Sequence, residues 1–223
     1  MGIVTETTES TIRDMLASKR THLSIWDIDD TLVRHPENTT RIRVVKKGTK
    51  DYLKRSGKLV TMSTAEFADP KRQKKIIGSD GELTDPESFV DFRSSAVFVK
   101  HAKVIEENVK KAVSEYGRKD TFFIMLTARG NMDDPNVFLD YFKGHGLNMN
   151  TSTSHILRAG SLTKLGGGAA KRKIIQEIIK AVPFIESVDF YDDASDNIAH
   201  FRRIRFKNRK VKMRAFPIES TEK

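Results

Sequence analysis

The sequence predicts an α/β protein organised around a mostly parallel sheet. Two observations carry that expectation: short apolar runs that stop abruptly at acidic or hydroxyl residues, and segments of helical period lying between those runs. A third sets one stretch apart, because residues 34–100 alternate apolar and polar side chains between turn signals.

Taken in order, Leu23-Ser24-Ile25-Trp26 reads as a buried strand that delivers a polar tip at Asp27. Residues 103–116 place Ile105, Val109, Ala112 and Tyr116 at helical spacing, and Gly117 supplies a stop. Thr121-Phe122-Phe123-Ile124-Met125-Leu126 is a second buried strand, ending at Thr127-Ala128-Arg129. Asn136 to Lys143 reads as a helix capped by Asp133-Asp134 and closed by Gly144 and Gly146. Ser154 to Leu157 fits a third strand, and Gly160 to Gly168 reads as a flexible loop lacking the spacing of a phosphate-cradling P-loop. A helix from about Ala169 to Ala181 follows, its stripe formed by Ile174, Ile175, Ile178 and Ile179. Ile185 to Tyr191 is a fourth strand ending in Asp192-Asp193; a helix carrying Ile198, Phe201 and Ile204 and a strand around Val211 to Ile218 complete the pattern.

Residues 34–100 are expected to form a small β-rich insert. Arg41-Ile42-Arg43-Val44-Val45 and Lys58-Leu59-Val60-Thr61-Met62 alternate, and Asp69-Pro70, Gly78 to Gly81 and Asp85-Pro86 mark turns. The core is thus expected in residues 1–33 and 101–223, a size that suits one domain carrying an insert.

The 223 residues include no cysteine, which excludes disulfides, thiolate metal sites and cysteine nucleophiles. No run approaches the roughly 20 apolar residues of a membrane-spanning helix. The start shows no secretory signal, and Glu6 stands where a myristoylation signal wants Ser or Thr. A cytoplasmic location is therefore expected. The net charge of +10 is uneven: residues 41–75 hold twelve basic and three acidic side chains, and residues 202–214 hold eight basic and none acidic. Such segments suit a polyanionic partner or a phosphorylated substrate, or equally a solvated basic surface. No RNP1-like, zinc-knuckle or helix-turn-helix pattern accompanies them. The six histidines show no paired ligand spacing.

Four polar clusters fall at the ends of expected strands or at a helix start: Asp27-Ile28-Asp29-Asp30-Thr31, then Thr127, then Lys171 and Lys173, then Asp192-Asp193 with Asp196 and Asn197 behind. The carboxyl edge of an open parallel sheet is where ligands bind. Each cluster taken singly has a plain structural explanation, such as a turn, a cap or a solvated helix lysine. In this order and strand context the chain resembles the haloacid dehalogenase (HAD) superfamily of phosphohydrolases, whose D-x-D-x-T motif matches Asp27 to Thr31. Thr127 matches the second motif, Lys171 or Lys173 the third and Asp192-Asp193 the fourth.

The resemblance implies a Rossmann-like core with helices on both faces, and an insert acting as a cap between the first two motifs. It implies a Mg²⁺-dependent phosphatase in which Asp27 attacks phosphorus and Asp29 serves as acid and base. Asp27, the backbone carbonyl of Asp29 and an acid of the fourth motif would hold the ion, Asp193 being favoured over Asp192 as farther along the strand. Thr127 would hydrogen-bond a phosphoryl oxygen, and the lysine, Lys171 being favoured, would neutralise charge on the phosphate and Asp27. Thr31, Arg129, Lys173 and Asp196 are the further candidates for contacts to substrate or for orienting the lysine; for Arg129 a surface salt bridge is the competing expectation. Trp26 is expected to pack.

The basic insert (Arg41, Arg43, Lys46, Lys47, Lys50, Lys54, Arg55) points to a nucleotide or polynucleotide end as substrate. A phosphomutase shares the first step, and a catalytically idle module binding nucleic acid is the third alternative. The short chain and the shape of the insert also resemble phage-encoded members, which would work in the host cytoplasm.

Overall fold

A computed structural model describes residues 7–34, 40–46, 58–62, 70–78, 81–83, 94–129, 132–159, 167–207 and 209–218. Its framework is a five-stranded, wholly parallel sheet built from β1 (His22–Trp26), β7 (Thr121–Thr127), β8 (Ser154–Arg158), β9 (Ser187–Asp192) and β10 (Lys212–Pro217), in the spatial order β10-β9-β1-β7-β8. The three central strands are buried almost throughout, as their near-continuous apolar runs require of strands covered on both faces.

Side-chain alternation divides the interior into two cores. Leu23, Ile25, Phe122, Ile124, Leu126, Val188 and Phe190 point to one face. There they meet Met15 of α1 (Thr8–Ser18), the isoleucine stripe of α6 (Gly167–Ala181), and Ile198 and Phe201 of α7 (Ser195–Arg202). Trp26, Phe123, Met125 and Tyr191 point to the other. Val109 and Ala112 of α4 (Glu106–Tyr116), Phe138 and Phe142 of α5 (Pro135–Gly144) and Phe98 of α3 (Ser95–His101) cover them. The result is a Rossmann-like α/β fold with helices on both faces of the sheet. Trp26 packs as expected, stacked on Tyr191 with ring centroids 3.8 Å apart.

Most core elements fall where the sequence places them, with three differences. Gly167 and Gly168 open α6 instead of belonging to a loop, while Gly160 to Gly166 lie outside the described residues. Residues 103–104 form no part of α4: Lys103–Val104 is a two-residue strand, β6, paired antiparallel with β2 (Val33–Arg34). The N-terminal helix α1 is not anticipated by any apolar block; Thr7 and Ser10 close a capping box at its start, and Lys19 ends it in the left-handed region at φ 56°.

The insert contains β3 (Thr40–Lys46), which pairs antiparallel with β4 (Lys58–Met62) on one side and β5 (Gly81–Leu83) on the other. It also contains a helix that alternation does not reveal, α2 (Pro70–Ile77). The β2–β6 pair draws the two ends of the insert together directly beyond β1. One boundary differs from the sequence reading: Ser95 to Lys100, assigned there to the insert, belong to α3. That helix packs on α5 through Phe98, whose ring lies 4.7 Å from Phe138. Among the described residues, no helix is long and apolar enough to cross a membrane.

Candidate functional site

From β1 the chain turns first to β7 and β8 on one side, then to β9 and β10 on the other. The order reverses at β1, so a crevice is expected outside its carboxyl end, between the ends of β7 and β9. Parallel registry brings those ends level: Trp26 lies opposite Met125 and Tyr191, and the Asp27 N–H donates to the Tyr191 carbonyl at 2.9 Å. Asp27, Thr127 and Asp192 therefore leave the sheet at one edge.

Lys171 reaches that edge from the first turn of α6. Its Nζ donates to Asp27 Oδ1 at 2.6 Å and to Asp192 Oδ2 at 2.7 Å, with all three side chains buried. The reach depends on Gly168, one turn earlier. A Cβ there would stand 2.7 Å from Asp196 Oδ2, 2.8 Å from His200 Cδ2 and 3.2 Å from Asn197 Oδ1, so any larger residue would force these side chains to shift.

One ammonium does not balance this cluster. Donor oxygens of Asp27, Asp192 and Asp193 all lie within 4.8 Å of one another. Burial drives the Asp27 carboxyl well above its ordinary value, Asp192 and Asp29 adding to the rise while Lys171 opposes it. Burial, then Asp192 and Asp30, raise the Asp193 carboxyl to about 6. Burial also acts to lower Lys171, but attraction to Asp192 and Asp27 outweighs it and leaves the ammonium above its ordinary value. Three carboxylates around one ammonium form a donor set of oxygens short of positive charge, which fits a hard divalent cation such as Mg²⁺.

The loop after β1 is wound tightly. The Leu32 and Val33 N–H groups both donate to the Ile28 carbonyl, and Asp30 adopts φ 58°, a left-handed conformation that aspartate tolerates better than most residues. Asn108 Nδ2 donates to the Thr31 carbonyl at 2.8 Å, tying the loop to α4. Thr31 Oγ1 donates to Asp193 Oδ1 at 3.3 Å and accepts the Asp193 N–H at 3.2 Å. Its hydroxyl is thus committed to holding Asp193, a role different from the substrate contact expected of it.

Asp29 accepts a fork from Arg129: Nε at 3.0 Å from Oδ1 and 2.8 Å from Oδ2, and Nη2 at 2.6 Å from Oδ1. The Arg129 guanidinium also lies 4.8 Å over the Phe98 ring, and the backbone N–H of Arg129 donates to Thr127 Oγ1 at 3.0 Å. Arg129 is buried and its ion pair lies inside the site, not at the surface as the salt-bridge expectation had it.

Two sequence candidates are not brought to the cluster. Lys173 is exposed, standing roughly 200° around α6 from Lys171, because two residues at 3.6 per turn reverse the face. Asp196 is also exposed and faces His200, 3.7 Å away. The residue that steadies Asp192 is Asn197, whose Nδ2 donates to Oδ1 at 2.8 Å and Oδ2 at 3.0 Å; the Ala194 N–H adds a contact at 2.9 Å. Asp192 is thereby saturated, whereas half-buried Asp193 retains capacity for an ion. Helical period is the signal for Asn197. In a helix opening at Ser195, the first-turn side chain that folds back toward the strand end is chosen by rotation, not by charge.

Of the insert's basic residues, Lys58, Lys71, Arg72, Lys74 and Lys75 are exposed, and the side chains of Arg41, Arg43, Lys46, Lys47, Lys50, Lys54 and Arg55 lie outside the described set. Within 202–214 most basic side chains are exposed, but Arg209 donates to the carbonyls of Ile179, Val182 and Ile185, closing the end of α6. No protein-family model and no characterised protein sequence matches the chain.

Proposed function

We propose that the chain is a Mg²⁺-dependent phosphohydrolase of the HAD type, cleaving phosphomonoesters through an aspartyl-phosphate at Asp27. The observation that carries this reading is the Lys171 ammonium shared between Asp27 and Asp192, with Asp193 beside them, at the point where the strand order reverses.

Lys171 engages Asp27 Oδ1 and leaves Oδ2 for attack in line on phosphorus. The P–O bond to the leaving group breaks as the Asp27 Oδ2–P bond forms, and water later hydrolyses the acyl phosphate. Asp27, Asp193 and the Asp29 backbone carbonyl would hold the ion, which supplies charge to screen a carboxylate nucleophile from an anionic phosphate. Asp192 belongs with Asn197 and Lys171 as the support behind that set.

Thr127 and Lys171 are placed to hydrogen-bond phosphoryl oxygens. Asp29 is the acid and base. It accepts from Arg129 in the arrangement described, so proton transfer through Asp29 requires that fork to loosen, as a phosphate competing for the guanidinium would make it do. The antiparallel sheet β3–β5, its ends drawn together beside the loop after β1, is the candidate cap, and its basic content suits a nucleotide or polynucleotide end.

A substrate screen tests this. p-Nitrophenyl phosphate, nucleotides and 3′- and 5′-phosphorylated oligonucleotides are each incubated with Mg²⁺ or EDTA, beside Asp27→Asn. The expected result is phosphate release that EDTA abolishes and Asp27→Asn lacks. Transfer of the phosphoryl group to a substrate hydroxyl, without free phosphate, would convert the reading to a phosphomutase. Oligonucleotide binding without turnover of any ester would leave only an idle module.

A further inference from the structure

A second group of ionisable side chains lies toward the opposite end of the sheet. His22 opens β1, Asp189 stands on β9 and Glu115 sits in the last turn of α4. His22 and Asp189 are 2% and 1% exposed. His22 Nε2 lies 3.4 Å from Glu115 Oε2 and 3.7 Å from Asp189 Oδ2, and the three donor atoms fall within 4.8 Å of one another. That nitrogen is nevertheless buried with no hydrogen-bond partner among the described residues. Leaving a buried polar atom unsatisfied is unfavourable, so a ligand that accepts its lone pair is expected to occupy the gap.

We infer that His22 Nε2, Glu115 Oε2 and Asp189 Oδ2 bind a divalent ion of the zinc class, in a structural site separate from the acidic cluster around Asp27. The separations fit such an ion: two ligands each about 2.0–2.1 Å from zinc at a tetrahedral angle stand roughly 3.3 Å apart. One imidazole with two carboxylates selects a borderline ion, whereas the all-oxygen cluster at the other end suits Mg²⁺.

The surroundings supply what such a ligand set needs. His22 Nδ1 lies 2.8 Å from Ser187 Oγ; an Nδ1–H donated there fixes the tautomer whose lone pair sits on Nε2. Arg214 forks Asp189, Nε to Oδ1 and Nη2 to Oδ2, each at 2.5 Å. Arg118 Nη1 lies 3.5 Å from Glu115 Oε2. Each carboxylate oxygen has a second lone pair left for the ion. The Glu115 side chain keeps 16% of its surface in solvent, which gives the ion a route in and a place for a water ligand. Bound there, the ion would pin the end of α4 to the start of β1 and to β9. The competing occupant is a proton, giving an imidazolium between two carboxylates.

Calorimetric titration of the chelator-treated protein with Zn²⁺ decides between them. The expected result is one saturable equivalent that persists in Asp193→Asn and weakens at least tenfold in Glu115→Gln and His22→Gln. Because His22→Gln alters a buried position, Glu115→Gln is the primary variant, with far-UV circular dichroism checking its fold. In ¹⁵N-detected imidazole spectra of the unaltered protein, Zn²⁺ should move the His22 Nε2 resonance and leave Nδ1 protonated. Zn²⁺ binding that Asp193→Asn abolishes and Glu115→Gln spares would overturn the site. So would a doubly protonated His22 that zinc leaves unmoved.

Discussion

Replacing Lys171 by methionine removes the ammonium from between Asp27 and Asp192 while keeping most of the side-chain volume. Two buried carboxylates, held 2.6 and 2.7 Å from Nζ, then face each other without that cation. Breaking a buried pair by deleting one partner costs about 3–5 kcal/mol. For a chain of this length each kcal/mol moves the midpoint by about 2–4 °C, so the variant should melt roughly 6–20 °C lower at neutral pH.

The loss should also depend on pH with a definite sign. Burial already raises the Asp27 carboxyl, and without Lys171 to oppose it the rise is larger. A carboxyl whose folded pKa exceeds its unfolded one adds stability below the unfolded value, and that contribution is lost as pH rises through the folded value. The deficit of Lys171→Met should therefore be small in acid, where a proton takes the place of the ammonium, and widen as pH rises through and above the ordinary carboxylate range. Thermal melts followed by far-UV circular dichroism across that range, without metal, measure it. A deficit under about 1 kcal/mol, flat with pH, would mean that the three groups do not form the buried cluster described.

The Asp193 carboxyl, raised to about 6, must lose its proton to take up an ion, so Mg²⁺ affinity should fall about tenfold per unit as pH drops below that value. Asp30→Asn removes one cause of the rise and should shift this dependence toward acid; calorimetric titration across pH would show a flat affinity if Asp193 is not a ligand. Gly168→Ala drives a Cβ into the opening of α7 and should cost about 1–3 kcal/mol in urea melts, with a loss of turnover as Asn197 is displaced; unchanged stability would show that α7 yields freely. Arg129→Gln leaves Asp29 without its fork and should destabilise by about 1–3 kcal/mol, because the Asp29 side chain is 18% exposed and partly screened. It should also alter the pH profile of turnover; an unchanged profile would separate Arg129 from the acid-base step.

The framework was legible because buried parallel strands announce themselves. Leu23 to Trp26 and Thr121 to Leu126 are nearly unbroken apolar runs, Ile185 to Tyr191 is a more mixed one, and the polar residues that follow each mark the sheet edge. Lys171 is favoured over Lys173 because Lys173 immediately precedes the buried Ile174, and helical rotation places Lys171 inward. Other features have no such mark. α1 rests on a cap and two buried side chains, Thr11 and Met15, while Ile12 is only partly buried and Leu16 is exposed, so its few apolar residues form no conspicuous run. The helix at Pro70–Ile77 lies among lysines and arginines whose composition says nothing of an apolar face. Arg129 carried two expectations at once because the identity of its partner, 100 positions away, depends on how β1 and β7 pair.

Asp196 and Asn197 show where that legibility stops. By charge, Asp196 is the better candidate to sit beside a lysine, and a comparison of charges alone selects it. The choice is instead made by rotation about α7 and by the approach of α6 at Gly168. With no Cβ at Gly168, the first turn of α6 meets Asp196, Asn197 and His200 closely. Asn197 lies between that turn and the end of β9, where its amide donates to both oxygens of Asp192. An aspartate in its place would add a carboxylate to a cluster already short of positive charge, whereas an amide holds Asp192 as a donor and adds none. The neutral residue thus belongs inside, and the charged one is left to water.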